Sequence, residues 1–247
     1  MYAIIGGSGL ARLSALSSPR RQVMRTPYGE PSGALTFGQL AGRDVVFLAR
    51  HGYGHTIAPH DINYRANIWA LRELKVAGVI AVTTVGSIRA DIGPGALVVP
   101  HQIIDYTHSR KSTFYEGADV PVTHVDFTRP YTERLRELLI GAAAACGEPA
   151  HDGAVYACTQ GPRLETAAEI ERLARDGADL VGMTGMPEAS LAREAGLDYA
   201  TLAVVVNHAA GRGDSRDEIK LADLDPVMRA TMLRAVRLLE QALASAA

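Results

Sequence analysis

Short apolar runs recur along this chain with helix-patterned segments between them, and no other feature limits its fold so strongly. Such alternation dictates an α/β protein rather than a helical bundle or an all-β sandwich. Strands are predicted at Tyr2–Ile5, Ala34–Gln39, Asp44–Ala49, Gly78–Thr84, Ala96–Ile104, Ala154–Thr159, Asp179–Met183 and Tyr199–Val206. Helices are predicted at Ile62–Lys75, Tyr131–Cys146, Thr166–Arg175, Pro187–Ala195 and Pro226–Ala244. The stretch "ALTFGQLAGRDVVFLA" reads as a hairpin turning near Ala41-Gly42, which makes the sheet mixed. Thr166 and Glu169 have capping-box spacing, and Gly177 and Gly196 stand where helices end on glycine. With no repeat, low-complexity tract or linker, the 247 residues are expected to form one domain over 1–247.

Composition narrows the function by exclusion. No apolar run approaches the roughly 18 residues of a membrane span, and "MYAIIGGSGL" lacks the pattern of a secretory signal. The two cysteines, Cys146 and Cys158, have no metal or redox spacing, so a reducing, cytoplasmic setting is expected. A net charge of -2 with mixed signs leaves no basic stripe for nucleic acid. The expected partner is therefore a small molecule, with no nucleic acid and no membrane. Gly211–Asp217, with little apolar surface to bury, is expected to be a mobile loop.

Five junctions follow apolar runs with small or polar residues, where α/β folds place their sites. In "IIGGSGL" the glycines let backbone amides and Ser8 approach an anion, although the same residues suit an ordinary turn. In "RHGYGHTIAPHDINY" the histidines lack the helix-borne or cysteine partners of a zinc site, so no metal is expected. Arg50 and His51 suit an oxyanion, with a surface salt bridge as the alternative for Arg50. Thr83 and Thr84 close the apolar run of "VIAVTTVGSIRADIGPG", and Gly86 permits a tight turn after them. Glu165 in "TQGPRLETAAEIE" precedes a helix, where a solvated carboxylate favoured by the helix dipole is equally natural. In "GMTGMPEASLAREAG", Met183 and Thr184 end a strand and serve either as core and cap or as ligand contacts.

In order and spacing these segments together resemble the trimeric purine nucleoside phosphorylase and methylthioadenosine phosphorylase family. The resemblance spans nearly the whole chain and rests on "GGSGL", "RHGYGHTIAPHDINYRANIWAL", "TTVGSIRADIGPG", "GPRLET" and "GMTGMPEASLAREAG". It implies a mixed, partly barrel-like β-sheet surrounded by helices, a homotrimer with sites near subunit boundaries, and no cofactor. The implied reaction is reversible phosphorolysis of a purine nucleoside, with inorganic phosphate as co-substrate. By motif, Ser8, Arg50, His51, Thr84 and Thr184 hold phosphate with Thr83 beside them, and Met183 lies against the ribose. Val85 and Leu164 join the substrate-binding set, and His124 in "VTHVDF" matches a histidine lent to the neighbouring subunit.

The same resemblance places the base-reading residue at the end of "LAVVVN". Methylthioadenosine phosphorylases carry Asp there and again two residues later, whereas this chain has Asn207 and Ala209, with Glu165 after "GPRL". Glu165 accepts from the N1–H of a 6-oxopurine and the Asn207 amide donates to O6 or N7. A 6-aminopurine reverses those polarities, a mismatch worth about a thousandfold. Enzymes for ordinary nucleosides place a histidine downstream to meet the 5'-hydroxyl, but "DEIKLADL" has none and offers Ile219 or Leu221 instead. An apolar side chain there suits a methylthio group. The sequence thus predicts phosphorolysis of S-methyl-5'-thioinosine. The alternatives are an inosine and guanosine phosphorylase, a methylthioadenosine phosphorylase, a nucleoside hydrolase and a non-catalytic nucleoside sensor.

Overall fold

The apolar runs line up side by side as parallel strands buried on both faces, which is why they read as continuous rather than alternating. The computed structural model describes residues 1–246. Its strands are β1 (Tyr2–Gly6), β2 (Ser17–Gln22), β3 (Leu35–Leu40), β4 (Arg43–Ala49), β5 (Val79–Ser87), β6 (Leu97–Val99), β7 (Gln102–Asp105), β8 (Ala150–Asp152), β9 (Val155–Cys158), β10 (Leu180–Gly182) and β11 (Tyr199–His208). The helices are α1 (Tyr64–Glu73), α2 (Glu133–Ala145), α3 (Ala167–Arg175), α4 (Glu188–Glu194) and α5 (Leu221–Ser245). All the strands belong to one mixed sheet, in which β5 lies parallel to β1 and β11 and antiparallel to β10.

Alternate residues of a strand face opposite sides, and β1 shows the consequence. Tyr2 and Ile4 pack into a core with α2 and α5, while Ala3 and Ile5 pack into a second core with α1 and α4. The sheet is covered by helices on both faces. Along one edge of β5, however, β1 pairs only with Val79–Ala81 and β10 only with Gly86 and Ser87. Between them Val82–Val85 is left open on that side. The carboxyl ends of β1 and β10 run toward each other across this gap.

The capping box at Thr166 forms, with the Thr166 hydroxyl accepting from the Glu169 amide at 3.1 Å and Glu169 Oε2 accepting from the Thr166 amide at 2.7 Å. The hairpin turn also forms, with Ala41 and Gly42 at φ 50° and 75°. Several expectations are corrected. The strand expected over Ala96–Ile104 divides into β6 and β7 around Pro100-His101, where proline supplies no ladder donor. Strands β2 and β8 escaped sequence reading because their residues, "SSPRRQ" and "AHD", carry no apolar pattern and are held by pairing with β3 and β6. Helix α5 starts at Leu221, so Pro226 lies inside it rather than opening it. The segment expected to be mobile closes into a 3-10 turn at Gly213–Ser215, with Ser215 buried and its carbonyl accepting from the Gly211 amide at 2.9 Å.

Thr166→Ala removes one half of the α3 cap and is expected to lower unfolding free energy by about 1 kcal/mol. A denaturant melt showing no change in midpoint would mean that Glu169 alone holds the helix start.

Candidate functional site

A cavity of about 570 Å³ opens at the gap in the sheet. Ser8 reaches it from the turn after β1, Arg50 and His51 from the end of β4, and Thr83, Thr84 and Val85 from the stretch of β5 that is open along one edge. Leu164 and Glu165 enter from the segment after β9, Met183 and Thr184 from the end of β10, and Asn207 and Ala209 from the end of β11. Ile219 and Leu221 complete the wall from the start of α5. The sequence-predicted residues thus converge on one space. His124 is the exception, being exposed and outside the cavity of its own chain.

One part of the cavity wall is built around Arg50, only 1% exposed. Its Nε and Nη2 donate to the two oxygens of Glu188 at 2.6 and 2.8 Å, and its Nη1 donates to the Val82 carbonyl at 3.1 Å. That carbonyl lies on the edge of β5 left open by the gap. Tyr199 donates a further bond to Glu188 at 2.8 Å. Burial alone would favour the neutral guanidine, but the charge and hydrogen bonds of Glu188 outweigh it and raise the Arg50 pKa. A Cβ on Gly7 would lie 2.8 Å from Arg50 Nη1, so only glycine lets the chain pass the guanidinium. The surface salt bridge considered for Arg50 is therefore replaced by a buried one.

His51 brings a different chemistry. Its Nδ1–H donates to the Ile57 carbonyl at 2.8 Å, which leaves Nε2 as the ring's free acceptor. Burial, with the neighbouring Arg50 charge, lowers its pKa from 6.5 to about 4. Thr83 and Thr184 share a hydrogen bond at 3.1 Å between buried hydroxyls, while Ser8 lies 3.4 Å from His55 Nε2. The set offers hydroxyls, a guanidinium and a neutral imidazole to a tetrahedral anion.

In another part of the wall Glu165 Oε1 accepts from the Thr159 hydroxyl at 2.6 Å, which fixes the carboxylate and leaves Oε2 to a ligand. Asn207 sits at a bulge: Val205 pairs with Val85 and Asn207 with Gly86, so Val206 is the extra residue. Bulges re-aim side chains, and both Val206 and Asn207 border the cavity at this one. The Asn207 amide donates one hydrogen to the His208 carbonyl at 2.6 Å and keeps another.

The third part is apolar. Leu224 and Met228 join Ile219 and Leu221, with exposed Asp225 as the carboxylate at this end. Ile219 is half-buried, whereas Leu221 is 66% exposed at the rim. Sequence reading missed Leu224 and Met228 because it began α5 too late, although the spacing of Leu221, Leu224 and Met228 is that of one helix face. It also missed Glu188, a carboxylate inside the apolar pattern "MPEASLA", whose burial and partner Arg50 only the fold reveals.

A profile of the phosphorylase superfamily matches residues 1–244. The chain belongs to the phosphorylase superfamily. Among its relatives, a protein of Pseudomonas syringae named probable S-methyl-5'-thioinosine phosphorylase is 53% identical over 229 residues, covering 93% of this chain and 92% of the relative. A 6-oxopurine nucleoside phosphorylase of Pyrococcus furiosus is 51% identical over 214 residues, covering 85% and 80%. Among solved structures, the methylthioadenosine phosphorylase of Schistosoma mansoni in complex with adenine superposes with a TM-score of 0.93 at 32% identity, covering 98% of this chain and 90% of that one.

Two outcomes test the electrostatics of this phosphorylase. Glu188→Gln strands a buried guanidinium and is expected to cost about 3 kcal/mol in denaturant unfolding; an unchanged midpoint would show that the carboxylate charge is dispensable. The unfolded His51 takes a proton near pH 6.5 that the folded one refuses until about 4, so stability falls as pH drops through that window. His51→Gln should flatten this part of the pH–stability curve, and an unaltered slope would place its origin elsewhere.

Proposed function

We propose that this phosphorylase cleaves S-methyl-5'-thioinosine with phosphate to hypoxanthine and 5-methylthioribose 1-phosphate. The observation that carries the reading is a single cavity lined both by the polar Glu165 and Asn207 and by the apolar Ile219, Leu221, Leu224 and Met228. In the reaction a phosphate oxygen bonds to the anomeric carbon as the bond to N9 breaks, and the electron pair leaves with the purine. Ser8, Arg50, Thr84 and Thr184 donate to the phosphate, with Thr83 bonded to Thr184, and the neutral His51 Nε2 accepts a hydrogen bond from the phosphate's remaining hydroxyl. Asn207 donates to N7 or O6, where negative charge develops on the departing base. Glu165 accepts from N1–H. Val85, Leu164 and Ala209 pack around the base, and Met183 lies against the ribose.

The apolar end receives the methylthio group, which makes no demand for a hydrogen bond. We take the working form to be a cytoplasmic homotrimer that needs no cofactor. Exposure of His124 away from its own cavity supports a role in a neighbour's pocket. Asp225 favours a second reading, since its carboxylate could accept from the 5'-hydroxyl of inosine or guanosine.

Phosphate-dependent turnover of methylthioinosine, methylthioadenosine, inosine and guanosine decides among these. Methylthioinosine is expected to exceed methylthioadenosine by about a thousandfold in kcat/KM. A preference for methylthioadenosine would overturn the role of Glu165 and Asn207, and a preference for inosine that of the apolar end. The triple change Glu165→Ser, Asn207→Asp and Ala209→Asp is expected to shift preference toward the aminopurine; an unshifted ratio would place base selection in other residues.

A further inference from the structure

Arg110 lies outside every segment that carried the sequence reading and does not line the cavity. Half-buried in the connection after β7, it spends its guanidinium on six hydrogen bonds, none to a carboxylate. Nη2 donates to the carbonyls of Gln160 at 2.8 Å and Thr159 at 3.3 Å, and Nε to the Gln160 side-chain oxygen at 3.2 Å. Nη1 donates to the carbonyls of Met183 at 2.9 Å and Met186 at 2.5 Å, and to the Tyr64 hydroxyl at 3.2 Å. Tyr64 in turn donates to the Pro59 carbonyl at 2.9 Å.

These acceptors belong to three separate walls of the cavity. The first leads to Glu165, the second contains Met183 and Thr184, and the third runs from His51 to Pro59. The first two leave the adjacent parallel strands β9 and β10, whose ladder ends where the Thr159 amide donates to the Gly182 carbonyl at 2.8 Å. Beyond that rung the two segments share the Arg110 fork. A planar group with five N–H donors can hold both at fixed separation, whereas a lysine ammonium has three donors and no plane.

We propose that Arg110 is a positioning residue that sets the distance between the base-reading wall and the ribose–phosphate wall, and so aligns the nucleoside with the attacking phosphate. This rests on the phosphorolysis reading of the cavity. Displacement of a bound reactant by about 1 Å costs on the order of a hundredfold in rate. Loss of the fork should therefore lower kcat and raise the nucleoside KM together.

The test compares wild type, Arg110→Lys and Arg110→Ala with phosphate and whichever purine nucleoside wild type turns over best. Near-UV circular dichroism and melting temperature are recorded on each protein. Both variants are expected to lose about a hundredfold in kcat/KM. Added ethylguanidinium should restore Arg110→Ala at least tenfold, while ethylammonium, with equal charge and no fork, should not. If Arg110→Ala fails to fold, Arg110→Lys carries the comparison. Folded variants within threefold of wild type, or equal rescue by ethylammonium, would overturn the proposal. Absence of phosphate-dependent turnover in wild type would count against phosphorolysis itself, while the variant ratios speak only to Arg110.

Discussion

The cavity depends on the buried ion pair between Arg50 and Glu188. It ties the end of β4 to the start of α4, takes up an open carbonyl on β5 and, through Tyr199, reaches the start of β11. Removing two charges from water costs several kcal/mol per ion, and close two-point geometry is what returns it. Such a pair adds little net stability, but it leaves Arg50 almost no rotational freedom. With Glu188 balancing its charge, Arg50 meets an anion as an oriented donor rather than as a net cation. In the proposed reaction the phosphate then keeps more of its own charge to face the positive anomeric carbon.

The pair works because the sheet has a gap. Had β1 or β10 continued along β5, the Val82 carbonyl would be bonded within the ladder and Thr83 and Thr84 would be covered. Instead, two strands end facing each other, and the turns that follow them carry Ser8 on one side and Met183 and Thr184 on the other. Strand termination supplies the site, and the buried pair fixes its shape.

How much of this was legible in the sequence follows from the range of the interactions. Continuous apolar runs and period-3.6 patterns are local, so β1, β5, β11 and the bodies of all the helices could be read directly, as could the Thr166 capping box. Strand β2 could not, because all six of its residues are exposed and it exists by pairing with β3. The cavity-lining residues in short motifs could be read from the sequence, whereas the burial of Glu188 and the bonds of Arg110 could not, since their partners stand far away in the chain. Asn207 shows an intermediate case: its identity was readable, but the bulge that turns it into the cavity depends on β5 across the ladder.

In the proposed reaction, base and sugar selection rest on different physics. The polar end depends on donor and acceptor polarity, delivered by a bulge in β11 and by the Thr159 bond to Glu165. The apolar end depends on shape and dehydration, delivered by the first turns of α5. A methylthioadenosine phosphorylase shares this fold with a TM-score of 0.93 at 32% identity, and a fold does not by itself dictate the site built on it. On the proposed reading, pairing a 6-oxopurine end with a methylthio end needs no change in architecture, only the donor pattern at Glu165, Asn207 and Ala209 and apolar side chains at the start of α5.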